Sequence, residues 1–179
     1  MLPDGARQIV DFQVPGDFLG LRSILFRTSD HSIEAVTRSE ASEVLAPEIL
    51  DGFAQAPRLA TAALWAASRD EAMVVEHLVD LGRRSADERM AHFLLELGMR
   101  LKLVGVGDEF GFDCPPTQYQ LADILGLSAV HVNRVVRHLR EQGLVAFQNK
   151  RVTFDDLARL TELAGFATSY LDQDGPLLR

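Results

Sequence analysis

Cysteine is almost absent from this 179-residue chain; Cys114 is the only one. A single thiol excludes an internal disulfide framework and a cysteine-only zinc or cluster site, and it fits a reducing cytosol. No apolar run approaches the ~20 residues a membrane-spanning helix needs. The first residues, MLPDGARQIVDF, lack a basic stretch followed by an apolar one, so no signal peptide is expected. Enzyme signatures are missing too. We find no phosphate-binding glycine loop, no nucleophile elbow, no His-Glu-x-x-His and no plausible triad. The chain therefore reads as a non-enzyme without a membrane segment, placed in the cytoplasm. At this length it makes one domain or two small ones, and its 47% apolar and 25% charged residues are ordinary for a globular protein.

The net charge of −8 is distributed unevenly. Residues 117–151 carry five Lys/Arg and two acids, a net of +3, while the remainder carries −11. A basic face on an acidic body is what a phosphate-contacting module needs. That basic segment also holds the clearest pattern in the chain, TQYQLADILGLSAVHVNRVVRHLR at 117–140. Thr117 and Gln120 form a capping box at a helix start. Leu121, Ile124 and Leu125 repeat at helical spacing. Gly126 stops the helix, because glycine tolerates the left-handed conformation. Leu127 anchors a turn, and Ser128 caps a second helix. Val132, Val135, Val136 and Leu139 give that helix an apolar stripe; Arg134, Arg137, His138 and Arg140 lie largely off it. The pattern is a helix-turn-helix, whose second helix is expected in a DNA major groove.

The flanking segments extend this reading. Residues 8–14, 32–37 and 43–46 have β-like patterns, broken by the turn signal Pro15-Gly16-Asp17. Short helices are expected at 17–26 and 47–53. A long helix is expected at 58–81, some 24 residues and roughly 36 Å in length. Along it Ala60, Leu64, Ala67, Glu71, Val74, Leu78 and Leu81 alternate at spacings of four and three, a heptad seam. Such a seam is best buried against a symmetry mate as a parallel coiled coil, the alternative being packing within one chain. Ser85 and Glu88 form a second capping box, opening a helix with a core stripe of Met90, Phe93, Leu94, Leu97, Leu101 and Val104. Phe110 and Phe112 alternate like a strand. Leu144 to Phe147 and Val152 to Phe154 read as a hairpin with Gln148-Asn149-Lys150 at its tip, a wing that brings Lys150 and Arg151 to phosphate. Asp155 is expected to cap a last helix at 156–164, stopped by Gly165.

With these residues in hand, the chain resembles the CRP/FNR superfamily of bacterial transcription regulators. PGDFLG at 15–20 is similar to the turn of that family's β-roll sensor domain, LGRRSADERMAHFLLELGMRL at 81–101 to its hinge and first DNA-domain helix, and TQYQLADILGLSAVHVNRVVRHLREQGLV at 117–145 to its helix-turn-helix signature. His-Val-Asn-Arg at 131–134 and GFATSYL at 165–171 resemble one subgroup. The resemblance implies an α+β fold: a truncated β-roll of cyclic-nucleotide-binding type at 1–57, a dimerisation helix at 58–82 and a winged helix-turn-helix at 83–179, with a hinge at 82–85. About half of the β-roll would precede Met1, and the native chain would be longer or the remnant covered by a partner subunit.

Function follows by the same resemblance. It implies a homodimer on palindromic double-stranded DNA, touching RNA polymerase if it activates. Arg134 stands where the family reads a guanine, Asn133 at another base- or phosphate-contacting position, and Ala129, Val130 and His131 at the N-terminal recognition positions. Ala129 and Val130 replace the charged residues of better known branches and could meet a thymine methyl. The implied DNA-contacting set is Thr117, Gln118, Ser128, Ala129, Val130, His131, Asn133, Arg134, Arg137, Lys150 and Arg151. The implied dimer set is Leu64, Ala67, Glu71, Val74, Leu78 and Leu81. No cofactor is expected. Leu21 and His31-Ser32 replace the Glu and the Arg-Ser pair that hold a cyclic nucleotide, and one cysteine cannot ligate an iron–sulfur cluster.

Weaker constellations are His92 with Glu96 and His131 with His138, both at helical spacings that can hold a metal but without a third ligand nearby. Cys114 reads as a part-buried strand-end residue more readily than as a redox thiol, and Trp65 as packing. Rival readings are a winged-helix repressor of another family with its own small-molecule pocket, and an interaction module that has lost DNA binding.

Overall fold

Capping chemistry sets most of the element boundaries. The computed structural model describes Gly5, residues 7–26, Thr28, residues 31–175 and Leu177. Helix α1 spans Ala46–Gln55, and the Glu48 carboxylate accepts from the Leu45 amide at its start. The long helix α2 is Pro57–Arg83, with proline in its first turn, where no intrahelical N–H partner is lost. It runs through Gly82 and ends at Arg84. Helix α3, Ala86–Leu103, opens on the Ser85/Glu88 capping box. Strands β1, Gly107–Asp108, and β2, Gly111–Asp113, lead to α4, Gln118–Leu125, and α5, Ala129–Glu141. Strands β3, Val145–Gln148, and β4, Arg151–Phe154, precede α6, Leu157–Ala164. Single 3-10 turns lie at Leu21–Ile24 and Ser169–Leu171.

The sheet is antiparallel throughout, in the order β1-β2-β4-β3. Asn149 and Lys150 both have positive φ, 52° and 60°, as a two-residue hairpin turn of the primed type requires. Gly111 sits at φ 152°, and a Cβ there would collide with the carbonyl oxygen of Val152 on the neighbouring strand. Helix α3 lies at the centre of the core. The expected stripe Met90, Phe93, Leu94, Leu97 and Leu101 is buried, but so are Ala91, His92, Leu95, Glu96, Gly98 and Arg100. Its second side is covered by α2, by the segment 7–17 and by the C-terminal turn. Ile9, Phe12 and Val14 pack against the same core, and the rings of Phe12 and Phe93 lie 5.9 Å apart.

The fold is α+β, with a long helix ahead of a C-terminal winged helix-turn-helix, and it corrects several expectations. Residues 8–14, 32–37 and 43–46 form no strand, because a strand exists only where its backbone groups pair with a neighbour and every ladder among the described residues lies between Gly107 and Phe154. The helix expected at 17–26 reduces to the turn Leu21–Ile24. Val104 caps α3 and is 41% exposed rather than core. Phe110 sits in the β1–β2 turn, 65% exposed, so only Phe112 points inward. Asp156, not Asp155, caps α6, since its carboxylate accepts from the Arg159 amide.

Candidate nucleic-acid interface

The helix-turn-helix is built by the local signals expected of it. The Thr117 hydroxyl accepts from the Gln120 amide and the Gln120 side chain accepts from the Thr117 amide, the reciprocal bonds of a capping box. Gly126 takes the left-handed conformation at φ 63°, and a Cβ there would press on the Leu81 side chain. Ser128 caps α5 by accepting from the His131 amide. Val132, Val135 and Leu139 are buried, which fixes the rotation of α5 about its axis. That rotation exposes Val130, Asn133, Arg134, Arg137 and Arg140, with Ala129 and His131 half-buried.

The side chains on this face are partly ordered by one another. The Asn133 amide donates to Gln118 Oε1 at 3.0 Å, joining the two helices on their outer side. His138 is drawn away from it: its Nδ1 lies 2.6 Å from the Asp87 carboxylate at the start of α3. The wing carries Lys150 at its exposed tip. Arg151 leans back on Asp113 at 3.2 Å and Asp108 at 3.8 Å. Arg134, Arg137, Arg140 and Lys150 are exposed, make no ion pair among the described residues and are open to an external anion.

The seam residues of α2 are Leu64 at 70% exposure, Ala67, Glu71, Val74, Leu78 at 64% and Leu81 at 40%. The opposite face, Ala63, Ala66, Met73 and Asp80, is the buried one. Packing of the seam within the chain is therefore not what the structure shows. Leu81 also reaches the turn at Gly126.

Polar groups, most of which the sequence pattern did not single out, are gathered around α3. Arg100 is buried and donates to Asp11 at 2.7 Å and to Asp17 at 2.9 Å. Arg69 reaches the other oxygen of Asp17 at 2.8 Å and lies over the Trp65 ring. Trp65 donates to the Asp172 carbonyl at 2.8 Å. His77 and Tyr170 both reach Glu96. The ring of His92 lies between Phe166 and Tyr170, with its nitrogens 3.3 Å from Asp80 and 3.5 Å from Glu76. His92 and Glu96 thus serve different partners. Among the described residues no group of three or more His, Cys, Asp or Glu is arranged for a metal.

Cys114 is fully buried, and burial pushes its thiol up to about 12. Leu21 lies in the first 3-10 turn and offers no polar atom to a ribose. Among the described residues no helix is long and apolar enough to cross a membrane.

Comparison with known proteins agrees with this architecture. Residues 88–163 match the family described as the Crp-like helix-turn-helix domain. The chain is 36% identical over 166 residues to the nitrogen fixation regulation protein FixK of Bradyrhizobium diazoefficiens, covering 92% of this chain and 68% of that protein. It is 31% identical over 180 residues to the transcriptional activator protein FnrL of Cereibacter sphaeroides, covering 98% of this chain and 70% of that protein. It spans 65% of the length of FixK from Azorhizobium caulinodans. Among solved structures, FixK2 from Bradyrhizobium japonicum superposes with a TM-score of 0.60 at 24% identity, over 69% of this chain and 61% of that one, a likeness of fold.

Proposed function

Since the chain belongs to the CRP/FNR family of transcription regulators, we propose that it acts as a homodimer on a palindromic operator, with one α5 in each major groove. The observation that carries this reading is the exposed face of α5, where Arg134 has no ion pair among the described residues and stands beside the tethered Asn133. Arg134 reads a guanine, the commonest specific arginine contact. Asn133 and His131 flank it, and Ala129 and Val130 meet thymine methyls. Gln118, Arg137, Lys150 and Arg151 take phosphates, and Thr117 and Ser128 stand at helix N-termini, where phosphate is favoured. The His-Val-Asn-Arg form of the recognition helix marks the subgroup, and 1–57, 58–82 and 83–179 are the functional units. The protein works in the cytoplasm without cyclic AMP or an iron–sulfur cluster, and it meets RNA polymerase where it activates.

Selection of binding sites from random DNA by the purified protein tests the reading. The expected product is a pseudo-palindrome with half-sites about one helical turn apart. Selected sites without two-fold symmetry would refute it. The dimer rests on the apolar seam of α2, whose exposed leucines resemble half of a coiled coil. Leu78→Glu is expected to convert the dimer to monomer by sedimentation, with little change in helix content, because Leu78 is 64% exposed in one chain. An unchanged mass would place the dimer contact elsewhere.

A further inference from the structure

Behind the recognition helix, where α2 meets α3, lies a set of buried polar groups that DNA contact does not use. His77 on α2 is its hub. Its Nδ1 is 3.1 Å from the carbonyl oxygen of Val10, and its Nε2 is 3.0 Å from Glu96 Oε1 on α3. Both partners can only accept. A neutral imidazole has one N–H and satisfies one of them; the imidazolium satisfies both. Glu96 also accepts from the Tyr170 hydroxyl at 2.8 Å, in the C-terminal turn. One doubly protonated ring thereby ties together α2, the segment 7–17, α3 and the C-terminal turn.

We infer that His77, as an imidazolium, is a positioning residue that holds the winged helix-turn-helix against the long helix, so that the operator-competent orientation is lost when the ring gives up its second proton. The inference rests on the proposed operator-binding dimer. The charged and titratable groups around the ring support it. Glu96 on α3 and Asp11 in the segment 7–17 act on the ring, while Arg100 on α3 and Tyr170 in the C-terminal turn meet Glu96. Arg100 is engaged by Asp11 and Asp17, which leaves Glu96 as the carboxylate bonded to the ring. Beyond Tyr170, His92 faces Asp80 and Glu76, which Arg84 also binds. Burial works against a charged His77, but the hydrogen bond and charge of Glu96, with Asp11, outweigh it and hold the group above the ordinary value of 6.5. A raised folded value means that the contribution is complete below 6.5 and is lost as pH rises through the higher, folded value.

Trp65, the only tryptophan, hydrogen-bonds the C-terminal segment at Asp172 and reports the joint without DNA. The test combines three readings on the full chain: the imidazole NMR titration of His77, Trp65 emission against pH, and affinity for the selected operator against pH. Wild type is expected to show one step in all three, above pH 6.5, with operator binding falling across the same step. His131 and His138 lie on α5, so the diagnostic quantity is the difference between wild type and His77→Gln, which is expected to lose the Trp65 and operator steps. In Glu96→Gln the His77 midpoint is expected to move down. A wild-type His77 midpoint at or below 6.5 overturns the proposal. So does a Trp65 step that is absent or that survives in His77→Gln. Failure of specific DNA binding at every pH, with the titration and the Trp65 step present, would strike the operator reading and uphold the joint.

Discussion

Arg134→Ala is expected to weaken binding to the selected operator by about 1–3 kcal/mol and to relax selectivity at one base pair of each half-site. The magnitude follows from what a bidentate arginine–guanine contact discriminates. The geometry makes the variant a clean one. Arg134 is exposed on α5, whose hold on the core comes from Val132, Val135 and Leu139 on the other side. Folding stability should therefore stay within about 0.5 kcal/mol of wild type, as for surface substitutions generally. Selectivity separates this residue from the phosphate contacts, because losing a phosphate contact weakens all sequences alike. Competition between the selected operator and single-base variants is the measurement. Undiminished discrimination at every position would remove Arg134 from the base-reading set.

The second large effect concerns folding. Arg100→Met is expected to destabilise the protein by about 3–5 kcal/mol, the cost of removing one partner from a buried ionic group. Arg100 has a side-chain exposure of 3% and is shared between Asp11 and Asp17, with Glu96 at 3.9 Å. Without it three carboxylates face one another, with only Arg69 and His77 to offset them. Domains are stable by about 5–15 kcal/mol, so the loss is a large share of the whole. The pH dependence carries a sign. For Asp17, burial opposes ionisation, but the Val14 amide, Arg100 and Arg69 outweigh it and hold the carboxyl below 3.8. Its stabilising contribution is present above 3.8 and is lost as pH falls through the depressed value. The raised value of Asp11 has burial as its main cause. The deficit of Arg100→Met should thus be widest near neutral pH and shrink in acid. Urea unfolding of both proteins at neutral and acid pH measures it. A deficit below about 1 kcal/mol would mean that the carboxylates find water or other donors.

These two residues differ in how visible they are beforehand. The surroundings of Arg134 are local: a cap at Thr117, a left-handed glycine at Gly126, a second cap at Ser128 and apolar positions three and four apart. Each device acts within one or two turns, so the residue string suffices to orient the helix and to tell which side chains lie outside. Arg100 is the reverse case. The stripe from Met90 to Leu101 marks one core face of α3, and nothing in the pattern assigns Arg100 a partner. Only the arrival of Asp11 and Asp17, 89 and 83 residues away, supplies one. The β-like runs at 8–14, 32–37 and 43–46 fail for a related reason. Alternation describes a strand's faces, but a strand needs a partner to accept its hydrogen bonds.

The sequence by itself thus determined the winged helix-turn-helix and the long helix with its apolar seam. Caps, turns and periodicity are short-range effects, settled within a turn or two of the chain. The tertiary structure decided which face of α2 is left uncovered, that Arg151 pairs with Asp113 and Asp108 and His138 with Asp87, and that His77, Glu96, Arg100 and Tyr170 meet where α2 packs on α3. Charges placed in a common interior interact strongly because water is excluded there, and which charges share that interior depends on contacts between segments far apart in the chain.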